Sequence, residues 1–85
     1  MSDRYRVEAE ARFKVPRPDA GPDAYQNKYI RKSFPYGKTA PRRRSAVEAA
    51  DVALAWLNIH GRGAADWSIS TMNGGIGIVR RVDPK

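Results

Sequence analysis

A chain of 85 residues, 41% hydrophobic and 29% charged with a net charge of +7, suits one small folded domain over residues 1–85 rather than a disordered tail. With no cysteine and a single histidine, His60, it lacks the makings of a disulfide framework, a thiolate metal site or an imidazole-rich one, so neither metal nor cofactor is expected. No apolar run reaches the length of a membrane span and the opening MSDRYRVEAEARF lacks the apolar core of a signal peptide, so a cytoplasmic location is expected by elimination.

From Tyr5 to Val15 apolar and charged residues alternate without a break. That period predicts a half-buried strand with Tyr5, Val7, Ala9, Ala11, Phe13 and Val15 toward the core, and Arg6, Glu8, Glu10, Arg12 and Lys14 on the other face. A Pro/Gly/Asp connector, residues 16–24, interrupts it and is long for a hairpin loop. The run YQNKYIRKSF then predicts a second strand, in which Tyr25 and Tyr29 share a face with Arg31, and Ile30 and Phe34 share one with Lys28 and Lys32.

A helix follows, over about residues 45–60. Pro41 offers one start; Ser45 with Glu48 offers another, a capping box in which the serine hydroxyl takes the Glu48 backbone N–H and the glutamate reaches back to Ser45. The second start is favoured because it sets Glu48 where the helix dipole attracts negative charge and leaves Arg42, Arg43 and Arg44 on the approach. At 100° per residue, Ala46, Val47, Ala50, Ala53, Leu54 and Leu57 form one apolar arc, expected to face the sheet. Val52, Trp56 and Ile59 form a second apolar zone, to be covered by the long connector or by a partner. Gly61 is the expected stop.

The stretch from Asp66 to Val82 predicts a hairpin: Trp67, Ile69 and Thr71 alternate with serines, Asn73-Gly74 supplies a tight turn, and Ile76, Ile78 and Val82 share a face with Arg80. Gly77 within the strand signals a bulge or the close approach of another group. The expected fold is therefore α+β: a small antiparallel sheet of about four strands in the order β-β-α-β-β, with one helix packed across one face. The other face would stand open to solvent.

No motif assembles a catalytic site. The glycine-containing stretches GRGAAD and GGIGIV lack the spacing of phosphate loops. Glu8 and Glu10 are flanked by Arg6 and Arg12 and read as a solvated ion-pair ladder, not as a general acid and its partner. The chain is therefore read as a non-enzyme.

The basic residues suggest a binding role. Arginine outnumbers lysine eleven to five, which suits bidentate contacts with phosphate or carboxylate. Arg42, Arg43 and Arg44 would meet phosphates at the helix start, with Lys28, Arg31, Lys32 and Lys38 extending the track and Tyr25, Tyr29 and Tyr36 interleaved. Tyr29 to Phe34 leading by a short loop into the alanine-rich helix Ser45 to Leu57 resembles the amino-terminal arm-site DNA-binding domains of tyrosine recombinases. Those domains resemble three strands followed by a helix, whereas this chain is expected to place two more strands after it. The leading expectation is a nucleic-acid-binding module, more specifically for DNA, held through phosphates. The alternative is a protein-interaction module (an inhibitor, adaptor or assembly subunit) docking on an acidic partner through arginines and Val52, Trp56 and Ile59; a homodimer would cover the same surface.

Overall fold

A computed structural model describes residues 5–37, 44–73 and 76–84. Four strands and one helix follow in the expected order: β1 (Tyr5–Pro16), β2 (Tyr25–Pro35), α1 (Ala46–His60), β3 (Asp66–Asn73) and β4 (Ile76–Val82). The strands form one antiparallel sheet in the spatial order β2-β1-β3-β4, so the first strand in the chain lies in its interior. The period-two pattern of β1 sets the faces. Val7, Ala9 and Ala11 are fully buried beneath α1, and their cross-strand partners Phe34, Ile30, Thr71, Ile69 and Trp67 lie on the same side.

β1 pairs with β3 only from Tyr5 to Arg12, but with β2 as far as Pro16. Beyond Arg12 the sheet is thus a two-stranded ribbon, and the molecule is elongated, 49 × 24 × 19 Å. The connector closes the ribbon with a turn of 3-10 helix at Pro18–Ala20 and a hydrogen bond from the Arg17 N–H to the Ala24 carbonyl, 2.9 Å.

The helix starts at the serine. Ser45 is extended (φ −74°, ψ 163°), its Oγ accepts the Glu48 N–H at 3.1 Å, and its hydroxyl donates to Glu48 Oε1 at 3.2 Å. The glutamate thus meets the cap through the hydroxyl, where a capping box would also have it bond the Ser45 backbone N–H. The buried helix face is the expected arc with one exchange: Ala53 and Leu57 are fully buried and Ala46, Ala50 and Leu54 pack half-buried against the core, but Ala49 is fully buried where Val47 is 71% exposed. The exchange follows from the sheet beneath. Ala9 and Ala11 leave a shallow patch, and helix alanines let the backbones approach closely there; a β-branched valine in that place would hold them apart.

Gly61 ends the helix, its N–H donating to the Leu57 carbonyl at 2.7 Å, but with φ −96° it is not left-handed. It is glycine for want of space: a Cβ there would stand 2.6 Å from the indole Nε1 of Trp67. That indole, 1% exposed, donates to the Gly61 carbonyl at 2.9 Å and satisfies its own polar atom inside the core. Gly77 likewise marks a close approach rather than a bulge, since Met72 Sδ lies 2.8 Å from the position of an added Cβ. The β3–β4 ladder closes on Asn73↔Ile76, so Asn73, expected in the turn with Gly74, belongs to the strand instead; Gly74 and Gly75 lie outside the described residues.

Candidate polyanion-binding surface

The register sorts the charged side chains onto two faces. On the face away from α1 stand Arg6, Arg12, Lys14, Arg31 and Arg81, together with the three carboxylates of the strands, Glu8, Glu10 and Asp66. These groups largely bind each other. Arg6 pairs with Glu8 at 2.9 Å, Arg31 with Glu10, and Arg12 with Asp66 at 2.8 Å, while Arg81 stands 3.6 Å from the same aspartate. Arg12 also donates to Asn27 Oδ1 at 3.0 Å.

The ladder was expected, and Arg6–Glu8 lies within β1 as read, but the other pairs cross strands. Arg12 serves Asp66, not a glutamate, and Glu10 takes its cation from β2. The hydrogen bonds from Arg12 hold the Asp66 carboxyl below the usual aspartate range, against a desolvation that pushes it up, and the charges of Arg12, Arg81 and Lys14 act the same way as the bond. Arg12 and Arg31 are raised in turn, chiefly by their bonds to Asp66 and Glu10. Two tyrosines flank this network. Lys14 Nζ sits over the Tyr25 ring at 4.8 Å, and the Arg31 guanidinium over Tyr29 at 5.4 Å.

On the helix side the strands contribute Lys28, Lys32 and Arg80 and no carboxylate at all. Lys28 and Lys32 lie on edge strand β2, exposed, with no ion pair among the described residues. Four residues of strand set them roughly 13 Å apart. Arg44 stands just before the cap, half-buried, and its carbonyl accepts the N–H of Gly37 beyond the end of β2 at 2.6 Å. The expected track is therefore split: Arg31 belongs to the opposite face and is engaged by Glu10, because neighbours in a strand point opposite ways. Arg42, Arg43 and Lys38 lie outside the described residues. Tyr36 is removed from the set of contact aromatics: it is 9% exposed, packs edge-on against Tyr5 at 5.9 Å and donates its hydroxyl to the Met72 carbonyl at 3.1 Å.

The second apolar zone of the helix also changes. Trp56 is half-buried and meets Phe34 edge-to-face at 6.4 Å and His60 at 5.1 Å, so the core and the helix's own last turn cover it in place of the connector. Val52 and Ile59 remain outside, 37% and 69% exposed. A different apolar surface opens at the other flank, where Val47 and Ala50 of α1 face Ile78 and Thr71 across a groove of about 250 Å³. The alternation of β4 had already placed Ile78 and Arg80 together; what it could not give is that α1 packs mainly on β1, β2 and β3 and leaves a groove beside β4.

Among the described residues no group of His, Asp or Glu is arranged to hold a metal ion, and no helix is long and apolar enough to cross a membrane. No family model, curated protein or solved structure matches the chain.

Proposed function

We propose that this protein is a non-enzymatic binding module for nucleic acid, DNA foremost, that engages phosphates through the helix-side surface of β2. The observation that carries the reading is the segregation of charge: the strands' carboxylates all neutralise arginines on the open face, and Lys28 and Lys32 stand opposite with no ion pair among the described residues. Phosphate contact needs cations that are not already satisfied, and these two meet that condition. Arg42, Arg43 and Arg44 precede the cap in sequence and add charge next to the helix start, whose backbone N–H groups favour anions. The ribbon beyond Arg12 is of a width that a major groove admits, and it carries Lys14 and Tyr25 on one side and Lys28 on the other. A cytoplasmic location belongs to the same reading.

The test is a salt titration against generic duplex DNA. Neutralising Lys28 and Lys32 together by alanine is expected to lower the slope of log K against log salt by about 2, each phosphate contact contributing roughly 0.9. Arg31→Ala, on the other face, should leave the slope close to wild type. A folded Lys28→Ala/Lys32→Ala protein with an unchanged slope overturns the assignment.

A further inference from the structure

The edge opposite β2 has a different chemistry. β4 is hydrogen-bonded to β3 alone, so its outer edge presents backbone N–H and C=O groups that no strand of the sheet takes up. Ile78 and Val79, on its two faces, are 68% and 66% exposed. On the helix side the groove between Val47, Ala50 and Ile78 is predominantly apolar, and Arg80 stands at its rim with no carboxylate partner among the described residues. Such an edge, with an apolar pocket and a free cation beside it, is what a strand-adding peptide requires: backbone bonds for affinity, side-chain positions for selection.

We infer that β4 is a docking edge for an extended, acidic segment of a partner protein, which adds a fifth strand to the sheet. The order of residues along β4 dictates the pattern. Directly opposite Ile78 and Val79 the added strand carries two apolar residues, one reaching the groove beside Val47 and one covering Val79 on the far face. Opposite Arg80 and Arg81 it carries two acids. Arg81, 84% exposed and 3.6 Å from Asp66, the carboxylate it pairs with among the described residues, has donors to spare for one of them. An antiparallel addition therefore reads acid-acid-apolar-apolar along the partner chain, and a parallel one the reverse.

Charge decides between this occupant and a second copy of the chain. Self-pairing along β4 brings four arginines to one seam between two molecules that each carry +7, and arginines on an exposed edge are a known guard against that event. An acidic strand turns the same arginines from a barrier into a contact. The apolar groove separates this edge from the nucleic-acid reading, which it does not rest on: phosphates gain nothing from Ile78 and Val47.

The experiment uses the full chain, labelled for amide NMR, titrated with a short capped peptide of two glutamates followed by two isoleucines, and with its reversed sequence. A peptide with lysine in place of glutamate and one with proline at the centre serve as controls. Saturable shifts are expected at Ile78–Arg81 and at Val47 and Ala50 with one orientation of the acidic peptide, and none with the lysine or proline peptide. Arg80→Glu should weaken the acidic peptide about tenfold or more and admit the lysine one. Ile78→Lys should remove binding while leaving the remaining amide spectrum native, since the side chain lies outside the core. A flat titration to millimolar peptide, binding indifferent to charge, shifts centred on β2, or concentration-dependent pairing of β4 between copies would each overturn the assignment.

Discussion

The indole of Trp67 occupies the space that a side chain on Gly61 would need. Its Nε1 donates to the Gly61 carbonyl at 2.9 Å and lies 2.6 Å from the Cβ position, while the Leu57 carbonyl is 2.8 Å away on the other side. Replacing glycine by alanine at an open site of compatible φ stabilises by about 0.4–1 kcal/mol through the unfolded state. Here overpacking of about 1–3 kcal/mol outweighs it, so Gly61→Ala is expected to lower the urea midpoint. Trp67→Phe removes the nitrogen, and the double variant should cost less than the sum of the singles; strict additivity would show that the indole is not what excludes the side chain.

The N-cap makes a sharper claim about where the helix begins. Ser45→Ala is expected to cost about 1 kcal/mol, against a few tenths for Ser45→Gly, in chemical denaturation. A helix starting at Pro41 instead would leave both substitutions near neutral, as on an ordinary surface.

Trp56 is distinguished from its helical neighbours by packing. Trp56→Ala should destabilise by roughly 2–4 kcal/mol, somewhat under the range for a fully buried tryptophan, because it removes the contacts with Phe34 and His60. Ile59→Ala, at a position 69% exposed, should stay within about 0.5 kcal/mol. Equal, small effects at both would return Trp56 to the surface as a free anchor.

The Arg12–Asp66 bond leaves a mark on the acid limb of the stability profile. The folded carboxyl is held below its unfolded value, so the pair contributes fully above the ordinary aspartate pKa of about 3.9 and loses that contribution as the pH falls through the lower folded value. Asp66→Asn cannot titrate and should show a shallower loss over that interval. Superimposable acid profiles for the two proteins would exclude Asp66 as a source of the slope.

What could be read from the residues was whatever a short period or a local bond determines. β1 declared itself because small and large apolar residues alternate with ions, and Ser45 with Glu48 fixed the helix start through a bond made within one turn. The helix face was not legible in the same way. Ala46, Ala49, Ala50, Ala53 and Ala55 surround much of α1, so the arc found Ala53, Leu54 and Leu57 but took Val47 in place of Ala49, and only the shallow Ala9–Ala11 patch of another element decides that exchange. The expected basic track was split for a related reason. Counting cations joins Lys28, Arg31 and Lys32, but which of them is free depends on Glu10, a residue far along the chain that claims Arg31. The open flank at β4 depends on where α1 ends laterally, a property of packing with no local signature.

The place of β1 in the interior of the sheet has a kinetic consequence. Its hairpin with β2 closes over a short connector, yet its other ladder joins Arg12 to Asp66, 54 residues on, and Tyr5 to Asn73 farther still. The entropy of closing that loop precedes the part of the core that β3 supplies, since Trp67 and Ile69 arrive only with it. A two-stranded hairpin is marginal by itself, so a nascent chain that has made β1 and β2 holds the lysine edge without a scaffold to present it. Both edges should therefore mature in one late cooperative step, when β3 slots against the strand that was synthesised first.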